Sequence, residues 1–286
     1  MNKDMKRFLM ILYVLGSSLL GFAQTEKTAL LIAHYGSSDA ETRARTLDVI
    51  TREARDTFPE WEVREAYISP VVRKKLAKEG IHKDSPLEAL LKLRAEGYRK
   101  VYIQSTTLIE GSEMASVRSD ADKVRPFFDE LRVGTPLLYT VEDCKAVVDL
   151  LAAGQQAEKE DVVYVGHGNR LPSTATYAML DFMMKARGLK NRHVSTIEGY
   201  PTMEATLCRL KENRSKAVTL VPLLLVCGNH TKEDIAGVWK EELEKQGFRV
   251  TVCMQGLGEN EGIRQRYITH IREMLNDTDN PKSIVR

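Results

Sequence analysis

The run Val162-Val163-Tyr164-Val165 leads without a polar break into Gly166-His167-Gly168-Asn169. Four successive apolar residues do not alternate, so they predict a strand buried on both faces, as in the interior of a parallel sheet. Such a strand needs a crossover connection and helices on both sides, which commits the chain to an α/β fold. The two glycines allow a sharp turn and leave open space around the imidazole. A histidine at the carboxyl end of a parallel strand stands where open α/β sheets place their ligands.

The rest of the chain repeats this plan. Strands are expected over 28–34, 61–68, 100–109 and, more weakly, 132–138, with helices over 39–57, from Ser69-Pro70, from Ser85-Pro86 and from 111 to about 131. Ser85, Pro86 and Glu88 form a capping-box signature at a helix start. A helix over 141–153 and a polar stretch, 154–160, lead to the second series. There, strands 161–165, 192–197, 216–226 and 248–254 alternate with helices 173–187, from Tyr200-Pro201, 231–246 and 260–275. Two runs of similar order predict two similar βαβ domains, 25–140 and 141–275, facing each other across a cleft. The last helix is free to pack back on the first domain, and 276–286 is a polar tail.

With 286 residues, 43% hydrophobic and 29% charged, the chain is long enough for two ordinary domains. A formal net charge of +2 and no basic-aromatic block argue against nucleic acid. Lys3, Lys6 and Arg7 precede the apolar run 8–22, which ends in Gly21-Phe22-Ala23-Gln24. This predicts a secretory signal over 1–24, a periplasmic protein and no membrane span after cleavage, because a span needs ~20 apolar residues. Cys144, Cys208, Cys227 and Cys253 lack C-x-x-C spacing, so no zinc knuckle or redox motif is indicated.

Overlaying the halves sets Leu31-Ile32-Ala33-His34 against Tyr164-Val165-Gly166-His167, and Gly111-Ser112-Glu113 against Gly228-Asn229-His230. His34, Glu113, His167 and His230 then all fall at carboxyl ends of strands. Two imidazoles and a carboxylate suit a divalent first-row metal. A helix start after Gly111 favours an ionised Glu113, and the helix start at His230 keeps a neutral imidazole nitrogen available. Leu171 stands where a dinucleotide fingerprint needs its third glycine, and no Walker sequence occurs, so no nucleotide is expected. Gly166 before His167 argues against a histidine phosphatase, which needs an arginine there. His82, His193 and His270 are expected to be structural or solvated, and the charged face Glu41, Arg43, Arg45, Arg52, Glu53, Arg55 to be exposed.

Pro86-Leu87-Glu88-Ala89-Leu90, Ile103-Gln104-Ser105, Gly111-Ser112-Glu113, Gly166-His167-Gly168, Tyr200-Pro201, 221–226, Gly228-Asn229-His230 and 256–260 together resemble the anaerobic sirohydrochlorin cobalt chelatases of the class II tetrapyrrole chelatase superfamily. The resemblance covers about 28–275. It implies metal binding by His167, Glu113 and His230, with His167 also accepting a pyrrole proton and Glu113 joining it in catalysis. It further implies ATP-independent insertion of Co²⁺, or of Fe²⁺ or Ni²⁺, into a tetrapyrrole held between two domains. His34 departs from the small hydroxyl residue usual there. An axial bond to bound haem and a tolerated cleft residue are favoured for it over a fourth metal ligand. The alternative is therefore a periplasmic haem- or tetrapyrrole-binding protein on the same fold without turnover. A homo-oligomer is compatible with either reading.

Overall fold

The computed structural model describes residues 27–154, 160–228 and 231–276. The expected signal segment, most of the polar link between the halves, His230 and the tail beyond Asn276 lie outside the described residues.

The first half forms a parallel sheet from β1 (Thr28–His34), β2 (Glu62–Tyr67), β3 (Lys100–Ser105) and β4 (Glu130–Val133), ordered β2-β1-β3-β4. The second half repeats it with β5 (Asp161–Gly168), β6 (Arg192–Glu198), β7 (Ala217–Leu223) and β8 (Arg249–Val252), ordered β6-β5-β7-β8. The two-fold α/β reading is borne out. Each chain path reverses beside its first strand, so the sheets open for ligands between β1 and β3 and between β5 and β7.

Position in the sheet explains the composition of each strand. The central strands β1 and β5 are covered on both faces and are apolar over 29–33 and 162–165, with their polar residues near the ends. The edge strands β2 and β8 mix charged or polar residues with apolar ones, as Glu62, Arg64 and Glu65 in β2 and Arg249 and Thr251 in β8, which blunts their unpaired edges. Pro222 sits inside central β7, yet this costs no ladder bond. Leu220 still accepts from Cys253 on the β8 side. Two residues on, where Pro222 faces the same side, β8 has already ended at Val252.

One apolar cluster runs through both halves. It joins Leu30 and Ile32 of β1, Val162 and Tyr164 of β5, and helices α2 (Leu47–Thr57), α6 (Val141–Gly154), α7 (Ala175–Ala186) and α10 (Glu261–Asn276), numbered in chain order. Smaller clusters cover the outer faces: one under α4 (Pro86–Ala95) and α5 (Ser112–Val124), the other under the helices that follow β6 and β7. Helix α10 belongs to the second half by sequence but packs against α2 and β3 of the first. Its Tyr267 is fully buried and donates its hydroxyl to the Thr106 carbonyl at 2.9 Å. Arg264 of the same helix pairs with Glu53 at 2.7 Å.

Several boundaries differ from expectation for identifiable reasons. The helix expected over 39–57 breaks at Thr46, whose side chain packs against the backbone at Gly258. The helix after Gly111 stops at Val124 because Pro126 follows, and β4 starts earlier than expected. The segment Thr231–Trp239 is π-helical before it tightens to an α-helix over Lys240–Lys245. The capping box at Ser85 forms as predicted, with both reciprocal hydrogen bonds present. Arg43 and Glu53 are not on an open charged face: Arg43 is buried and donates to the Ser37 carbonyl at 3.0 Å. Among the described residues no helix is long and apolar enough to cross a membrane.

Removing the Tyr267 hydroxyl while keeping its ring should isolate the tie between α10 and the first sheet. Tyr267→Phe is expected to lower the unfolding free energy by about 1–2 kcal/mol, because a buried carbonyl loses its partner. Urea denaturation measures this, and an unchanged midpoint would show that the bond contributes nothing.

Candidate active site

Glu113 and His167 come from opposite halves, and their supporting turns meet. Gly111 caps α5 in an extended conformation, which sets Glu113 in the first turn, where the helix end favours a negative charge. The Glu113 carboxylate accepts from the Ser112 hydroxyl at 3.1 Å and is half-buried. In the second half, Asn169 follows the histidine turn, and its amide donates to Ser173 at 3.1 Å while its oxygen accepts from the Leu171 N–H at 2.8 Å. A side chain at Gly111 would begin 3.3 Å from the Asn169 amide nitrogen and 3.4 Å from the Glu113 carboxylate. The two halves therefore approach closely here, at Gly111 and Asn169.

His167 is half-buried at the end of β5, with Nδ1 3.0 Å from the Gly168 carbonyl oxygen. A carbonyl only accepts, so in this contact Nδ1 is the donor and the ring lone pair lies on Nε2. Gly168 has φ +74°, and a Cβ there would run into the Glu198 carbonyl. Gly166 is needed for a different reason: a Cβ would collide with the Tyr177 ring.

His34 is corrected by the structure. It is fully buried, with Nδ1 3.0 Å from Thr106 Oγ1 and Nε2 3.0 Å from Thr51 Oγ1. Both ring nitrogens are occupied, so neither reaches a haem iron or a tetrapyrrole, and His34 is not a cleft residue. The overlay that set it against His167 is displaced by one position. Gly36 and Gly168 share the left-handed conformation, with φ +104° and +74°. His34 and Gly166 both face a helix that follows their strand, meeting Thr51 and Tyr177 respectively. Aligned on those glycines, Tyr35 is the counterpart of His167, and Tyr35 is 45% exposed. A one-residue slip moves a side chain to the opposite face of a strand. The signal that would have corrected the overlay is present in the sequence, as His34-Tyr35-Gly36 beside Gly166-His167-Gly168.

Of the remaining histidines, His82 is exposed. His193 and His270 are structural and buried, with Nε2 2.6 Å from Asp161 and 2.8 Å from Asp143. His270 is thus not on a surface helix. Bonds from His270 and Thr140 outweigh burial and hold the Asp143 carboxyl far below the usual carboxylate range. Among the described residues no three His, Cys, Asp or Glu side chains gather as a metal site. The Gly228 carbonyl, one step from the Asn229-His230 pair, accepts from the N–H groups of Thr231 and Lys232 and anchors the π-helical segment.

Comparison with known proteins places this geometry. The family profile described as cobalt chelatase (CbiK) matches residues 28–276. The chain belongs to the cobalt chelatase family. It is 34% identical over 257 residues to the sirohydrochlorin cobaltochelatase of Salmonella typhimurium, covering 87% of this chain and 97% of that protein. It is 33% identical over 263 residues to sirohydrochlorin cobaltochelatase CbiKC of Nitratidesulfovibrio vulgaris, covering 88% and 92%. Among solved structures, SirB from Bacillus subtilis with Fe³⁺ superposes with a TM-score of 0.66 at 13% identity, over 89% of this chain and 98% of that one. The cobalt complex of SirB from Bacillus subtilis subspecies spizizenii gives 0.56 at 14% identity, over 87% and 95%. These structural likenesses support the fold of this chelatase family member, and the sequence relatives establish its family.

The buried His34 makes stability depend on pH. Burial, with a smaller contribution from the Lys83 charge, lowers the imidazole from 6.5 to about 3. The folded chain keeps it neutral, whereas the unfolded chain protonates near 6.5. Its contribution is therefore complete above 6.5 and is lost as pH falls from 6.5 towards 3. Between pH 7 and 5 the unfolding free energy of the natural chain should drop by about 2 kcal/mol more than that of His34→Gln. Parallel pH profiles from urea titrations would refute the assignment.

Proposed function

We propose that this protein inserts a divalent metal ion, Co²⁺ foremost, into sirohydrochlorin without a nucleotide. The observation that carries this is that Gly111, two residues before Glu113, lies beside Asn169, two residues after His167, so that residues from opposite halves come together beyond the ends of the two sheets. The cobaltochelatase relatives support the substrate.

The metal is a substrate, delivered to one face of the macrocycle. Insertion removes two pyrrole protons for each M²⁺ that enters, so the chain must present both a proton acceptor and a weak metal hold. His167 offers Nε2 for these tasks because Nδ1 is committed to Gly168. Glu113 supplies negative charge that compensates the ion as its water is exchanged for ring nitrogens. His230 is proposed as the third metal ligand from its place after Gly228-Asn229. Three donors leave open coordination positions, so the ion can pass on to the ring. Fe²⁺ and Ni²⁺ suit the same donors. The basic and apolar start of the chain supports export to the periplasm, and self-association is compatible with this mechanism.

Mixing the protein with Co²⁺ and sirohydrochlorin should change the absorbance of the macrocycle faster than the uncatalysed reaction. His167→Ala should lower this rate by at least about a hundredfold, as expected for loss of a general base. A natural chain that shows no turnover but binds haem stoichiometrically would replace insertion with haem handling.

A further inference from the structure

We propose that Asn169 is a positioning residue that sets the span between the metal donors of the two halves: its amide closes the loop that follows His167 and stands as the spacer against the turn that carries Glu113. The inference deepens the chelatase reading and rests on Glu113 and His167 serving one metal ion.

The hydrogen bonds fix the orientation of the amide. The Leu171 N–H only donates, so the Asn169 atom 2.8 Å from it is Oδ1. Nδ2 is therefore the atom that donates to the Ser173 hydroxyl at 3.1 Å. These two bonds close the loop that leads from His167 towards α7. The same Nδ2 lies 3.3 Å from the point where a Gly111 side chain would begin, and the Glu113 carboxylate lies 3.4 Å from that point.

The backbone of Asn169 is confined as well. A Cβ at Gly199, just past the end of β6, would lie 2.6 Å from the Asn169 carbonyl oxygen and 3.4 Å from its nitrogen. A Cβ at Gly168 would likewise run into the Glu198 carbonyl. The turn after His167 thus rests by its backbone on β6 of its own half and meets the Gly111 turn of the other half through the Asn169 side chain. That side chain is tied by both its oxygen and its nitrogen, so it yields only by giving up a hydrogen bond. An aspartate in its place would keep the bond from Leu171 but set a second oxygen on the side of the Glu113 carboxylate, where like charges repel.

The test is a double-mutant cycle between Asn169→Ala and Gly111→Ala, read by titrating each protein with Co²⁺ alone and by the insertion assay. Asn169→Ala opens a gap at the contact. It should weaken Co²⁺ binding and lower kcat about tenfold each, the equivalent of one lost hydrogen bond, with KM for sirohydrochlorin held within about twofold. Gly111 has φ −109°, which alanine adopts freely, so its replacement tests space and not backbone strain. Beside the tied amide of the natural chain, the added methyl should weaken Co²⁺ binding at least about threefold. In the double variant the methyl takes the space that the amide left, so Co²⁺ affinity and kcat should match those of Asn169→Ala within about twofold. Losses that multiply in the double variant would overturn the proposal. So would an unchanged Co²⁺ affinity in Asn169→Ala, or a loss matched by a loss of folded protein. If Asn169→Ala does not fold, Gly111→Ala decides alone, and an unchanged Co²⁺ affinity there overturns the proposal. A natural chain that neither binds Co²⁺ nor turns over sinks the chelatase reading and this inference with it; a natural chain that inserts the metal while the two losses multiply sinks the inference only.

Discussion

A strand alternates its side chains between two faces, and in this protein that alternation separates a histidine sealed in the core from one at the open end of its sheet. His34 and His167 end equivalent strands but differ by one step along the pleat. His34 turns inward to Thr51 and Thr106, while His167 turns into the open end of the sheet. Gly166, which occupies the inward position in the second half, has no side chain and admits the Tyr177 ring instead. The same inward position thus carries a hydrogen-bonded imidazole in one half and an aromatic brace in the other. This asymmetry lets a duplicated fold hold an asymmetric site.

The second constraint is closeness between the halves. A parallel sheet buried on both faces needs a continuous apolar layer, and here that layer is shared. Helix α10 completes it by leaving its own half and docking on the first, with Tyr267 bonded just past the end of β3. Thr106 therefore bears on two features at once. Its carbonyl receives Tyr267, and its hydroxyl meets His34. The site sits on the rim of this shared core, so Glu113 and the histidine turn are held by packing that neither residue supplies.

Much of the fold was legible because its signals are local. Uniform apolar runs marked β1 and β5, and the Ser85 capping box marked a helix start to the residue. The element boundaries that failed did so where distant groups intervene, as at Thr46 against Gly258, or where a local signal was underweighted, as at Pro126. The site was legible in part. Gly166-His167-Gly168 and Gly111-Ser112-Glu113 were visible as motifs, since each sets an ionisable residue within two positions of a glycine after an apolar strand. Tyr177 was not visible. An aromatic residue in an amphipathic helix carries no mark of the glycine its ring will pack against.

The sequence alone determined the alternation of strands and helices, the duplication, the exclusion of nucleotide motifs and the family, because these depend on periodicity and on short motifs. Only the tertiary structure decided which face each strand-end residue occupies, that the Glu113 and His167 turns touch through Gly111 and Asn169, and that His34 is sealed in the core. Those outcomes depend on contacts between residues far apart in the chain. A shift of one position in a strand reverses them while leaving the pattern of the sequence almost unchanged.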